Sequence, residues 1–148
     1  MPQKQGDERM ETLVILDLRN GFCDGWRVGK KFKDQPLRAW MIDDLKDYRV
    51  ILTSTQPWNE AGAILRRIAE ETGWVPNDFY FNDGKQSNMT LKRHILCNIL
   101  FRKYGGPLKN EWVAIDEDPR TQRLYASFGV KNLWIEDGKI MTDAFDNE

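Results

Sequence analysis

The stretch "LVILDLRNGF", residues 13–22, decides the fold: four apolar residues run straight into Asp17, and Arg19 follows two positions later. A short apolar run of this kind reads as a strand buried in a sheet, so residues 12–17 are predicted as the first strand. A carboxylate placed where a buried strand surfaces is a common way to present a nucleophile or a metal ligand. What Asp17 does, and why an arginine sits beside it, is the question the remaining sequence must answer.

Outward from this stretch, short apolar runs alternate with helical patterns, the signature of an α/β domain with a mainly parallel sheet. Further strands are expected at 49–54 ("RVILTS"), 78–82 ("DFYFN"), 111–116 ("EWVAID") and 131–136 ("KNLWIE"). Four helices are expected between them. Leu37, Trp40, Met41 and Leu45 recur at helical spacing, and Asn59 can cap a helix that carries Ile64, Leu65 and Ile68 and ends at Gly73. Residues 89–104 hold Leu91, Ile95 and Ile99 on one stripe and stop at "GGP". Asp118 is a good N-cap before Pro119 at the first helical position, with Gly129 closing that helix. Trp40, Trp112 and Trp134 fall within elements and read as core. Without a repeat, linker or low-complexity tract, residues 1–148 read as a single domain.

Composition narrows the functional classes. With 41% hydrophobic and 30% charged residues the chain is globular, neither disordered nor fibrous. A net charge of -1 argues against a whole-surface nucleic-acid binder and leaves a local basic patch open. Cys23 and Cys97 suggest neither a disulfide framework nor a zinc spacing. The opening "MPQKQGDERM" lacks the apolar core of a secretory signal, and no apolar run has the length to cross a bilayer. The expected compartment is a reducing cytoplasm, with no membrane partner.

In open parallel sheets, functional groups gather outside the carboxyl ends of the strands. The first strand ends at Asp17, the second at Thr53 and Ser54, and the fourth at Asp116 and Glu117, with Asp118 following; Lys92 stands in the first turn of the third helix. An acid, a hydroxyl, a lysine and an acid pair are the parts of a metal-assisted phosphoryl-transfer site. One carboxylate attacks phosphorus, the hydroxyl and ammonium hold phosphoryl oxygens, and a hard cation with oxygen ligands neutralises the charge. Each residue also has a plain structural role open to it. Ser54 and Thr53 can form a turn, Lys92 can be a solvated helix residue, Asp118 can serve only as a cap, and His94 is most simply a helix residue.

In this order, the groups resemble those of the haloacid dehalogenase (HAD) superfamily of phosphohydrolases, with the 3′-phosphatase domain of phage polynucleotide kinases the nearest likeness. "DYRVILTSTQ" is similar to the second family motif at Ser54, "NMTLKRHIL" to the third at Lys92, and "WVAIDEDPRTQRLYASFGVKNLW" to the fourth. The likeness covers almost the whole chain. It implies a capless three-layer α/β sandwich, a Rossmann-like parallel sheet in the order 5-4-1-2-3. It implies catalysis by Asp17, Arg19, Ser54 and Lys92. It also implies Mg²⁺ held by Asp17 with Asp116 or Glu117, helped by the backbone carbonyl of Arg19.

The first motif departs from the family pattern. It should read Asp-x-Asp, the second aspartate serving as general acid and base, but "DLRNG" places Arg19 there. Three roles are open to Arg19: a phosphate clamp, a salt bridge that occupies the site, or a replacement turned to solvent. The segment "NGFCDGWRVGKKFKDQP" then interleaves Arg27, Lys30, Lys31 and Lys33 with Phe22, Trp26 and Phe32. Basic side chains among aromatic faces can hold a phosphate backbone and stack bases; a solvated glycine-rich loop is the plain alternative. Arg27, Lys30 and Lys31 are the candidate substrate-binding residues. The expected ligand is a phosphorylated small molecule, a nucleotide or a nucleic-acid 3′ end. Two functions follow: a magnesium-dependent phosphatase weakened by Arg19, or an inactive HAD-fold protein that binds a protein partner in a larger assembly, such as a viral or phage one.

Overall fold

The computed structural model describes residues 11–142. Its sheet has six strands: β1 Thr12–Asp17, β2 Arg49–Pro57, β3 Asp78–Asn82, β4 Glu111–Ile115, β5 Lys131–Glu136 and β6 Lys139–Met141. They lie in the order β3-β2-β1-β4-β5-β6, with every pairing parallel except that of β5 with β6. The five predicted strands are all present, and their order agrees with the expected 5-4-1-2-3.

Period-two alternation sorts the strand residues onto two faces. Val14, Leu16, Val50, Leu52, Val113 and Ile115 pack on one side, against α1 (Met41–Leu45) and α2 (Ala61–Thr72). Leu13, Ile15, Ile51, Trp112 and Ala114 pack on the other. There they meet α3 (Asn88–His94), the wide helical turn Ile95–Leu100 that continues it into α4 (Phe101–Tyr104), and α5 (Pro119–Ser127). The result is helices on both faces of a mostly parallel sheet, the architecture that βα alternation demands. None of the helices among the described residues is long and apolar enough to cross a membrane.

Four details differ from the sequence reading. β2 runs on to Pro57, and Asn59 does not cap α2 but lies in a short 3-10 turn, Trp58–Glu60, that precedes it. The first helix is only Met41–Leu45, so Leu37 and Trp40 precede it, and Trp40 is 36% exposed and not core. Trp134 is half-buried, its indole N–H donating to Glu136 at 3.0 Å. The sixth strand was not expected. It returns through Asp137 and Gly138, both at positive φ (54° and 71°), the backbone of a type I′ hairpin and a pairing of residue types that favours it.

The topology fixes where chemistry can occur. β1 is central, flanked by β2 and β4, and the chain leaves it toward β2 but later crosses back to β4. The carboxyl end of β1 is therefore a switch point, where a crevice opens. Asp17 closes β1 opposite Thr53 of β2, and Asp116 directly follows the last residue of β4, whose neighbour on β1 is Leu16.

Candidate phosphoryl-transfer site

After Asp17 the chain makes a wide helical turn, Leu18–Phe22. Its compactness depends on Gly21: a Cβ there would stand 2.7 Å from the backbone oxygen of Ile115, too close for any side chain. The turn aims the Asn20 backbone N–H at Asp17, donating to Oδ2 at 2.7 Å, while the Asn20 carbonyl accepts from Glu117 N at 2.8 Å. The ends of β1 and β4 are thus tied together by backbone.

Lys92 completes the floor of the site. Ser87 caps α3 by accepting from Thr90 N, and Lys92 sits in the second turn of that helix, not the first. Instead of facing solvent it is completely buried, its ammonium 2.5 Å from Asp17 Oδ1 and 2.7 Å from Asp116 Oδ2. The Thr53 hydroxyl donates to the same Asp17 oxygen at 3.2 Å, and the backbone N–H of Asp118 donates to Asp116 Oδ1 at 3.0 Å. Desolvation opposes the charge on Lys92, but Asp17 and Asp116 outweigh it and hold the amine above its usual range. One ammonium serves two carboxylates, so the cluster keeps an uncompensated negative charge. Asp116 bears the consequence: burial first, then the charge of Asp17, push its carboxyl up to about 6, against the pull of Lys92.

Above this floor lies a cleft of about 220 Å³. Asp17, Arg19 and Asn20 form one side, Thr55 another, and Asn88, Asp118 and Arg120 the far wall. Asp118 caps α5 by accepting from Arg120 N at 2.9 Å; it also pairs with the Arg120 guanidinium at 3.2 Å and accepts from the Asn88 amide at 3.3 Å. A larger, mainly apolar cavity of about 460 Å³ lies at the opposite, amino end of the strands, between Leu45, Val113, Leu133 and Ile140. It contains none of the candidate residues.

Arg19 makes no ion pair with Asp17. It lines the cleft, and its guanidinium stacks on Trp26 at 5.5 Å from the ring centroid. Of the three roles open to it, occupation of the site by a salt bridge is the one the geometry removes. Ser54 is buried, but its hydroxyl accepts from Gln56 N at 3.0 Å; the hydroxyl that reaches Asp17 belongs to Thr53. Glu117 is drawn to Arg38 at 3.2 Å, and among the described residues no three carboxylates, histidines or cysteines converge on one point.

Arg27, Lys30 and Lys31 are exposed and lie on the loop beyond the cleft lining. That loop is closed at its neck by the Cys23–Leu37 bridge and pinned from inside by Gln35, whose amide bonds Arg27 N at 2.6 Å, Arg27 O at 2.8 Å and Lys30 O at 3.0 Å. Arg67 of α2 reaches the carbonyls of Phe32 and Gln35 and stacks on the Phe32 ring.

Sequence reasoning passed over Asn20, Asn88 and Arg120 as site residues. Asn88 directly follows the cap Ser87 and Arg120 stands two positions after the cap Asp118, so recognising a cap at a strand-to-helix turn was the available signal. Asn20 acts through its backbone, which carries no residue-type signal. Compared with family models, curated proteins and solved structures, the chain matches none.

Proposed function

We propose that this chain is a HAD-like, capless phosphohydrolase that accepts a phosphoryl group on Asp17, with a nucleotide or a polynucleotide 3′ end as its ligand, and that its turnover is slow. The observation that carries the reading is the buried Lys92 ammonium between Asp17 and Asp116. A lysine is almost never fully buried unless paired, and the desolvation of such a cluster costs several kcal/mol per ion. A purely structural role is served more cheaply by apolar side chains. Expense of this kind at a sheet switch point is the mark of a site held ready for chemistry.

Within this reading Asp17 Oδ1 is held by Lys92 and Thr53, while among the described residues Oδ2 accepts only the Asn20 N–H and keeps a lone pair for phosphorus. Mg²⁺ needs only one or two carboxylates and otherwise keeps water and substrate oxygens. Asp17 and Asp116 each keep one oxygen off Lys92, Oδ2 and Oδ1 respectively, with which they would hold the ion, whereas Glu117 is committed to Arg38. When bound, the ion would neutralise charge on the phosphoryl oxygens. The exposed Arg27, Lys30 and Lys31 on a loop pinned by Gln35 support a polyanionic ligand.

The test is phosphate release from an aryl phosphate, a nucleotide and a 3′-phosphorylated oligonucleotide with magnesium, comparing wild type with Asp17→Asn. Equal release from both proteins refutes the reading. A second reading, an inactive binding protein with a protein partner, is favoured by one observation: Arg19, at the position of the general acid, is stacked on Trp26. Phosphate binding without release from any substrate selects it.

A further inference from the structure

We propose that Asp17 is a site of lasting phosphorylation, loaded by donors whose leaving group departs without a proton, acyl phosphates above all. This rests on reading the cleft as a phosphoryl-transfer site. Hydrolysis of an alkyl phosphate needs a nucleophile, an acid for the departing alkoxide and a base for the attacking water. Among the described residues the cleft supplies only the first. Apart from Asp17 its walls carry Arg19, Asn20, Thr55, Asn88, Asp118 and Arg120. The two guanidiniums stay protonated at any working pH, and amides and hydroxyls are too weak as acids.

Among the described residues Asp118 is the one other carboxyl lining the cleft, and it is already engaged. It accepts from the Arg120 backbone at 2.9 Å, from the Arg120 side chain at 3.2 Å and from Asn88 at 3.3 Å. Its Oδ1 and Oδ2 thus both already accept N–H donors, and neither is left free to give or to take a proton. His94, the sole histidine, bonds Asn98 at 3.0 Å and does not line the cleft.

The donor class follows. Asp17 Oδ2 attacks phosphorus, the bond from phosphorus to the acyl oxygen breaks, and its electron pair leaves with a carboxylate, which is stable as an ion near neutral pH. An alkyl phosphate would have to expel an alkoxide unaided. The same missing group would draw a proton from water in the second step, so the aspartyl-phosphate persists. Arg19 favours loading. Stacked on Trp26 and without a hydrogen bond or ion pair among the described residues, it keeps its N–H donors for phosphoryl oxygens.

The experiment incubates the full chain with acetyl phosphate and magnesium and follows intact mass and peptide maps. The expected result is one phosphoryl adduct on Asp17, absent from Asp17→Asn. Glycerol phosphate and a 3′-phosphorylated oligonucleotide should give at least about a hundredfold less adduct or free phosphate, the lower bound for a missing general acid. Arg19→Asp should shorten the adduct's lifetime by a similar factor. Alkyl phosphates consumed as fast as acetyl phosphate through Asp17 would overturn the proposal and leave the phosphohydrolase reading standing. So would an adduct whose lifetime lengthens in Asp118→Asn, since Asp118 would then be the base. If neither acetyl phosphate nor an aryl phosphate marks Asp17 and inorganic phosphate gives no binding signal by phosphorus NMR, both proposals fail together.

Discussion

Lys92 Nζ stands 2.5 Å from Asp17 Oδ1, a contact closed across 75 residues of chain and shut away from solvent. Asp17 ends the central strand, and Lys92 hangs from a helix on one face of the sheet whose Leu91 and Ile95 are buried in that face's core. Packing of those neighbours turns Lys92 inward, so hydrophobic burial sets the position of the charge. Removing the ammonium leaves two buried carboxylates facing each other.

Lys92→Met should therefore destabilise the fold by roughly 3–5 kcal/mol, the cost of leaving buried charges unpaired. The double variant Asp17→Asn/Lys92→Met should recover part of it. Urea unfolding of the three proteins measures this, and a single variant as stable as wild type would show that the cluster is not ionised.

Asp116 gives the same cluster a pH signature. Its carboxyl is pushed up to about 6 from an ordinary 3.8, chiefly by burial and the charge of Asp17. Between those values the folded protein holds a proton that the unfolded chain releases. The group's contribution is therefore complete below the ordinary value and is lost as pH rises through about 6. A displacement of that size corresponds to roughly 3 kcal/mol. Without added divalent cation, wild-type stability should fall on this account between about pH 4 and pH 7, and Asp116→Asn should flatten the fall. Parallel stability profiles for the two proteins would exclude it.

Much of this arrangement was legible in the sequence, and the limits have physical causes. Apolar runs gave all five parallel strands because both faces of the sheet are covered, so each strand reads as continuous. The short helix at Met41 was overextended because Leu37 and Trp40 share its spacing while belonging to the closing neck of the loop and to an exposed turn. Asp17, Lys92 and Asp116 were named from their places at strand and helix ends. That Thr53 and not Ser54 reaches Asp17 follows from register, because Thr53 is the direct partner of Asp17 across the sheet. The pairing of Glu117 with Arg38 was hidden because Arg38 lies 79 residues away and comes into reach only when the loop neck closes.

Gly21 should tolerate no side chain. Its missing Cβ faces the backbone oxygen of Ile115 at 2.7 Å, with Leu16 at 3.1 Å, and backbone cannot yield as a flexible side chain can. Gly21→Ala should cost about 1–3 kcal/mol, the range for overpacking. It should also part the turn after Asp17 from β4, lowering phosphate affinity along with stability. Thermal unfolding and phosphate titration of the variant test both; an unshifted Tm would mean that the two strand ends are less tightly joined than the geometry indicates.

Trp26 supplies the last prediction, because it carries no polar role in the cleft and acts through Arg19. A guanidinium over an indole face is held by about 0.5–1 kcal/mol at an exposed site, and an arginine so held has less side-chain entropy to lose when it meets an anion. Trp26→Ala should therefore weaken inorganic phosphate binding by roughly two- to fivefold, the equivalent of that stacking energy. Trp26→Phe should retain most of the affinity, and in an Arg19→Ala background the tryptophan substitution should have no further effect. Calorimetric titration of wild type and the four variants, run at low ionic strength so that screening does not mask the difference, separates this from general loosening of the loop. A loss on Trp26→Ala that persists in the absence of the Arg19 side chain would show that Trp26 contacts the ligand itself or shapes the loop, and that Arg19 is not the clamp.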